Sequence, residues 1–109
     1  MRVELLPSSV PSGAGSAAPQ FLSSYLIGES VVIDGGSVGL PADVARQLAV
    51  RHVFLTHAHL DHVASLPLLI ENVYEPGPDC VEVLASAAVL AQIRADRFNG
   101  RTWPDFLAL

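Results

Sequence analysis

Apolar residues in this chain fall in short runs divided by glycine, proline and polar turn residues, with no long continuous stripe. Arg2 to Leu6 is a short apolar segment. Phe21 to Ile27 and Val31 to Asp34 are strand-like, and Gly28-Glu29-Ser30 between them is a connection of the length that closes hairpins. Val31-Val32-Ile33 is apolar on both faces, which suits a buried strand ending at Asp34-Gly35-Gly36. Pro41 is tolerated in a first helical turn, and the spacing predicts a short helix over 41–50. Val44 and Leu48 share one face of it, and Asp43, Arg46 and Gln47 look outward. His52 to Thr56 is β-branched and aromatic and reads as a strand.

The alternation then repeats. A helix is predicted over 67–74, Pro76-Gly77-Pro78 breaks it, and Val81 to Ala85 is a strand. Ser86 is placed to cap a helix carrying Val89, Leu90, Ile93 and Phe98, with Asn99-Gly100 as its stop. Strands alternating with helices predict an α/β or layered α+β domain. The Ser, Pro, Gly and Ala run from Pro7 to Pro19 reads as a flexible linker or as a long loop between two strands.

Composition narrows the possible functions. The chain has 109 residues, of which 50% are hydrophobic and 16% charged, and its mean hydropathy is +0.42. A single domain of this length buries only roughly 60–70% of its unfolded surface, so so apolar a chain is unusual standing alone. The six positive residues are all arginine and face eleven acidic ones, a net charge of −5. That balance disfavours general nucleic-acid binding, which relies on Lys and Arg displacing counterions. Residues 5 to 28 carry no charge, but three prolines and six serines interrupt them, so no membrane span is expected. Cys80 is the only cysteine, which excludes an intramolecular disulfide framework and a Cys-rich zinc site. The expected compartment is the cytoplasm.

The chemistry is concentrated at Thr56-His57-Ala58-His59-Leu60-Asp61-His62, which holds three of the four histidines in the chain. In an extended segment His57 and His59 point the same way and can share one ion, while Asp61 and His62 follow where the chain turns and can serve a second. Imidazoles with a carboxylate suit zinc, iron or manganese better than calcium. Two such ions would polarise an ester and generate a nucleophile from water. A histidine-rich loop with no ligand and a single structural zinc are the competing readings.

At these residues the chain resembles the metallo-β-lactamase fold superfamily, whose members share His-x-His-x-Asp-His at a strand end. Within it the chain is most similar to the class II 3′,5′-cyclic-nucleotide phosphodiesterases, through His57 to Val63, Ser65-Leu66, Phe98-Asn99 and Trp103-Pro104-Asp105. The step Ser65-Leu66-Pro67 is also similar to related transfer-RNA 3′-processing endonucleases. The resemblance implies an α/β fold, an αββα sandwich of which residues 1–109 form roughly the N-terminal half. It implies two divalent metals, with zinc expected and manganese or iron as alternatives. His57 and His59 would serve one ion and Asp61 and His62 the other, Asp61 also acting catalytically by orienting the nucleophile. Asp34 would support the metal loop, and Asn99 and Trp103 are candidates for substrate contact.

The family also needs a further histidine on each metal and a bridging aspartate, yet no histidine follows His62. The expectation is therefore a half-site in a truncated metallo-hydrolase domain, inactive alone, whose sheet face awaits the missing C-terminal half. The implied parent hydrolyses a small cyclic nucleotide to its 5′-monophosphate. The alternatives are an RNA 3′-processing endonuclease, a lactone or thioester hydrolase, or a non-catalytic half-domain. His52 reads as a structural or surface residue and Cys80 as a buried or strand-edge bystander.

Overall fold

A computed structural model describes residues 1–7, 22–41, 43–75 and 79–108. The run from Pro7 to Pro19 lies, after Pro7, outside the described residues, as do Phe21 and the 76–78 break. Among the described residues, five three-residue strands form one sheet: β1 (Val3–Leu5), β2 (Tyr25–Ile27), β3 (Val31–Ile33), β4 (His52–Phe54) and β5 (Glu82–Leu84), in the spatial order β1-β2-β3-β4-β5. The β1/β2 and β2/β3 pairs are antiparallel, whereas β3/β4 and β4/β5 are parallel. Gly28, with φ of +64°, turns β2 into β3 in the left-handed conformation that glycine takes most readily.

The strands are in register, so three rows of side chains cross the sheet. The central row runs Glu4, Leu26, Val32, Val53, Val83. Its three middle members are buried among the helices. Those helices are α1 (Val44–Leu48) in the β3-to-β4 crossover, α2 (Leu60–Val63) and α3 (Leu66–Val73) between β4 and β5, and α4 (Ala87–Asp96) after β5. Val63, Leu66, Leu69, Ile70, Ile93 and Phe98 join Leu26, Val32 and Val53 in the core, with Leu6, Val38, Val50 and Leu55. Ser86 caps α4 as expected, its Oγ accepting from Val89 N at 3.2 Å, and Asp43 caps α1 by accepting from Ala45 N at 3.0 Å.

Helix α1 corrects one expectation from the sequence. Val44 and Leu48 are 50% and 55% exposed, while Gln47 is 3% exposed. The helix is turned so that the Gln47 amide donates to Pro41 O at 2.7 Å and accepts from Asn72 Nδ2 of α3 at 2.9 Å. A buried amide with its hydrogen bonds made outweighs the partial burial of two aliphatic residues on so short a helix.

The two flanking rows point to the opposite face of the sheet. They carry Val3, Ile27, Val31, His52 and Glu82 on one side of the central row and Leu5, Tyr25, Ile33, Phe54 and Leu84 on the other. Val3, Leu5, Tyr25 and Phe54 are exposed, so the described residues leave this apolar face open. That is the composition's excess of apolar residues made visible.

Candidate metal centre

Because β3 and β4 run parallel, their carboxyl ends lie on one edge of the sheet, the edge where open α/β sheets build their sites. Asp34 leaves β3 there, and Thr56 to His59 leave β4. The Asp34 amide donates to Phe54 O at 2.7 Å, which ties the two exits together. Asp34 is 3% exposed and has φ of +65°, a left-handed conformation that costs a non-glycine residue about 1–2 kcal/mol. Its contacts show what holds it there. Asp34 Oδ1 accepts from Thr56 N at 2.8 Å, both carboxylate oxygens contact Thr56 Oγ1, and Oδ2 lies 2.8 Å from His62 Nδ1.

The same loop is fastened through the backbone. Gly35 N donates to His62 O at 2.6 Å, Ser65 N donates to Gly35 O at 3.1 Å, and Ser23 N donates to Asp61 O at 2.8 Å. This approach requires a residue without a side chain at position 36, where a Cβ would lie 2.0 Å from Asp61 O and 2.6 Å from Ser23 N. Asp34-Gly35-Gly36 is thus the seat on which Asp61 to Ser65 rests.

On that seat the three imidazoles gather. The His57 ring lies 4.0 Å, centroid to centroid, from that of His62 and 4.7 Å from that of His59, which it meets edge-on. His62 Nε2 is 3.3 Å from Asp61 Oδ2. The structure therefore brings together all four residues the sequence nominated, with Asp34 beneath them. Thr56, which the sequence reading did not single out, touches both Asp34 and His57. Its hydroxyl was visible in the motif, but only the fold shows what it reaches.

The donor set suits a divalent cation. A carboxylate facing His62 Nδ1 accepts that nitrogen's proton, which leaves Nε2 of the neutral ring as an acceptor turned toward a second carboxylate, Asp61. Two acceptors at that separation need a proton or cation between them. Among the described residues, however, no group of three or more His, Cys, Asp or Glu side chains is placed to hold an ion. The chemistry fits a metal, and these residues do not close around one unaided.

The family model of the metallo-beta-lactamase superfamily matches residues 18–77, which contain the whole cluster and its Asp34 seat. The chain belongs to the metallo-beta-lactamase superfamily. Members are typically hydrolases that use divalent metal ions, most often zinc. No curated protein matches this sequence significantly. The mixed five-stranded sheet with helices is consistent with the metallo-beta-lactamase fold. Among the described residues no helix is long and apolar enough to cross a membrane.

The remaining candidates lie outside the cluster's contacts. Asn99 Oδ1 accepts from the amides of Arg101 and Thr102 at 2.8 and 2.7 Å, and its Nδ2 donates to Ala95 O at 2.8 Å. Those bonds make it the stop of α4. Trp103 packs partly buried against the core. His52 and Cys80 line a cavity of about 230 Å³ with Arg51, Asp79 and Glu82, at the amino-terminal edge of β4 and β5, opposite the cluster.

Proposed function

We propose that the chain supplies the first ligand loop of a dinuclear metallo-phosphodiesterase that opens a 3′,5′-cyclic nucleotide to its 5′-monophosphate. The observation that carries this reading is the three-imidazole cluster fastened to buried Asp34 at the carboxyl edge of the parallel strands. His57 and His59 would hold one divalent ion, and Asp61 and His62 the other, with zinc first and manganese or iron as alternatives. When bound, such ions activate water near neutral pH and neutralise phosphoryl charge.

The chain's own residues supply position. Asp34 holds His62, and the Asp61 side chain, about half exposed, can accept a hydrogen bond from the attacking water and orient it toward phosphorus. The P–O3′ bond breaks and the 3′-oxygen takes a proton. The choice of a cyclic nucleotide is supported by the similarity of His57 to Val63 and its flanks to class II phosphodiesterases. A net charge of −5 with no lysine favours a small substrate over RNA. The single cysteine suits a reducing compartment, so a cytoplasmic site of action belongs to the same proposal. The remaining ligands, at least one histidine per ion and a bridging aspartate, would come from a complementary half of the domain.

The test is to assay the full-length protein, loaded with zinc or manganese, against cyclic AMP and a generic phosphodiester. Expected is conversion of cyclic AMP to 5′-AMP, abolished by a chelator and by His59→Ala. Turnover of neither compound would overturn the proposal, and turnover of the generic ester alone would remove the cyclic nucleotide from it. Residues 1–109 by themselves are expected to show no turnover.

A further inference from the structure

Thr56 Oγ1 sits between two groups, 2.8 Å from Asp34 Oδ2 and 2.8 Å from His57 Nδ1, with Asp34 Oδ1 at 3.0 Å. A threonine hydroxyl carries one proton and a carboxylate only accepts, so that proton is directed to Asp34. The oxygen is left with lone pairs, and His57 Nδ1 must then be the donor in the other contact. In a neutral ring this places the proton on Nδ1 and leaves Nε2 bare.

We infer that the Thr56 hydroxyl is a positioning group that fixes the tautomer of His57, extending the reach of one buried carboxylate to a second imidazole. Asp34 fixes His62 directly, through Oδ2 and Nδ1 at 2.8 Å, and His57 indirectly through Thr56. In its neutral form each ring then presents the same atom, an unprotonated Nε2. An unconstrained histidine favours the other tautomer, with its proton on Nε2, and that nitrogen cannot bind a metal until the proton is lost. Which nitrogen of an imidazole is free is set by the hydrogen bond the other one makes. The Thr56 amide bonds Asp34 Oδ1 independently at 2.8 Å, so replacing the side chain leaves the loop's backbone anchor in place. The value of this arrangement for metal binding rests on the function proposed above, but the tautomer does not.

The experiment is long-range ¹H–¹⁵N correlation of the imidazoles in the metal-free protein, at a pH where the rings are neutral, comparing wild type, Thr56→Val, which keeps the shape without the hydroxyl, and Thr56→Ser, which keeps the hydroxyl. Expected is a proton on Nδ1 of His57 in wild type and Thr56→Ser, moving to Nε2 in Thr56→Val, with the His62 pattern unchanged in all three. Three results would overturn the inference: a wild-type His57 protonated on Nε2, a Thr56→Val protein with no tautomer change, or one that loses the His62 pattern too and so reveals a merely structural role. Cobalt(II) titration of the same proteins separates the two proposals. Thr56→Val is expected to bind about 10-fold or more weakly and Thr56→Ser to remain near wild type. If wild type binds no cobalt while the tautomer shift is seen, the metal reading fails and the role of Thr56 stands.

Discussion

His62 Nδ1 and Asp34 Oδ2 lie 2.8 Å apart although 28 positions separate them in the chain. The contact joins the exit of β3 to the first helix after β4 and fixes the ring of one candidate ligand from behind. The buried Asp34 carboxylate accepts every one of its bonds, so its removal leaves the Thr56 amide and hydroxyl and His62 Nδ1 without their shared acceptor. Asp34→Ala is expected to lower stability by about 2–4 kcal/mol, because each hydrogen bond lost to a charged group costs about 1.5–3 kcal/mol and these bonds are part-buried. Urea denaturation measures this, and a loss under about 1 kcal/mol would show that the network does not hold the loop.

Two glycines with different reasons to be glycine should respond differently to alanine. At Gly36 a Cβ would collide with the Asp61 and Ser23 backbones, so Gly36→Ala should cost about 3 kcal/mol or more and displace the histidine cluster. At Gly28 a Cβ meets nothing within 4 Å, and only the positive φ is penalised, about 1–2 kcal/mol. Thermal or chemical melting of the two variants checks the order, and equal losses would contradict the close-approach argument.

Asp61 separates folding from function. Its side chain is 51% exposed, so Asp61→Asn should change stability by no more than about 0.5 kcal/mol. If Asp61 orients the attacking water, turnover by the metal-loaded complete domain proposed above should fall about 100-fold or more. Retained turnover at matched metal content would remove Asp61 from the proposed chemistry.

The reversed face of α1 is open to the same kind of test. Gln47→Leu keeps the volume but leaves Pro41 O without its 2.7 Å donor, and a loss of about 1–2 kcal/mol is expected. Val44→Ser on the exposed face should be nearly neutral, within about 0.5 kcal/mol. The opposite ranking in denaturant would restore the inward face that the sequence pattern suggests.

Much of the architecture was readable from local signals. Gly28-Glu29-Ser30 announced the β2–β3 hairpin, Ser86 announced the start of α4, and His-x-His-x-Asp-His announced the superfamily. Each is a property of neighbouring residues, set by φ preferences, a single cap or side-chain spacing, and so survives translation into a linear pattern. The α1 face departs from its sequence pattern because Gln47 satisfies its amide through Pro41 and Asn72, and the second of these comes from another helix.

The sequence by itself determined the donor types and their spacing, the strand and helix alternation, and the surplus of apolar residues. Tertiary structure decided what those donors rest on. Parallel pairing of β3 and β4 carried Asp34 under Thr56 and His62, and Gly36 allowed the two backbones to meet. It also sorted the apolar surplus by face, burying Leu26, Val32 and Val53 and leaving Val3, Leu5, Tyr25 and Phe54 open. The physical reason is the same in each case: these contacts join segments that are remote in the chain, and only the strand register brings them within hydrogen-bonding or van der Waals range.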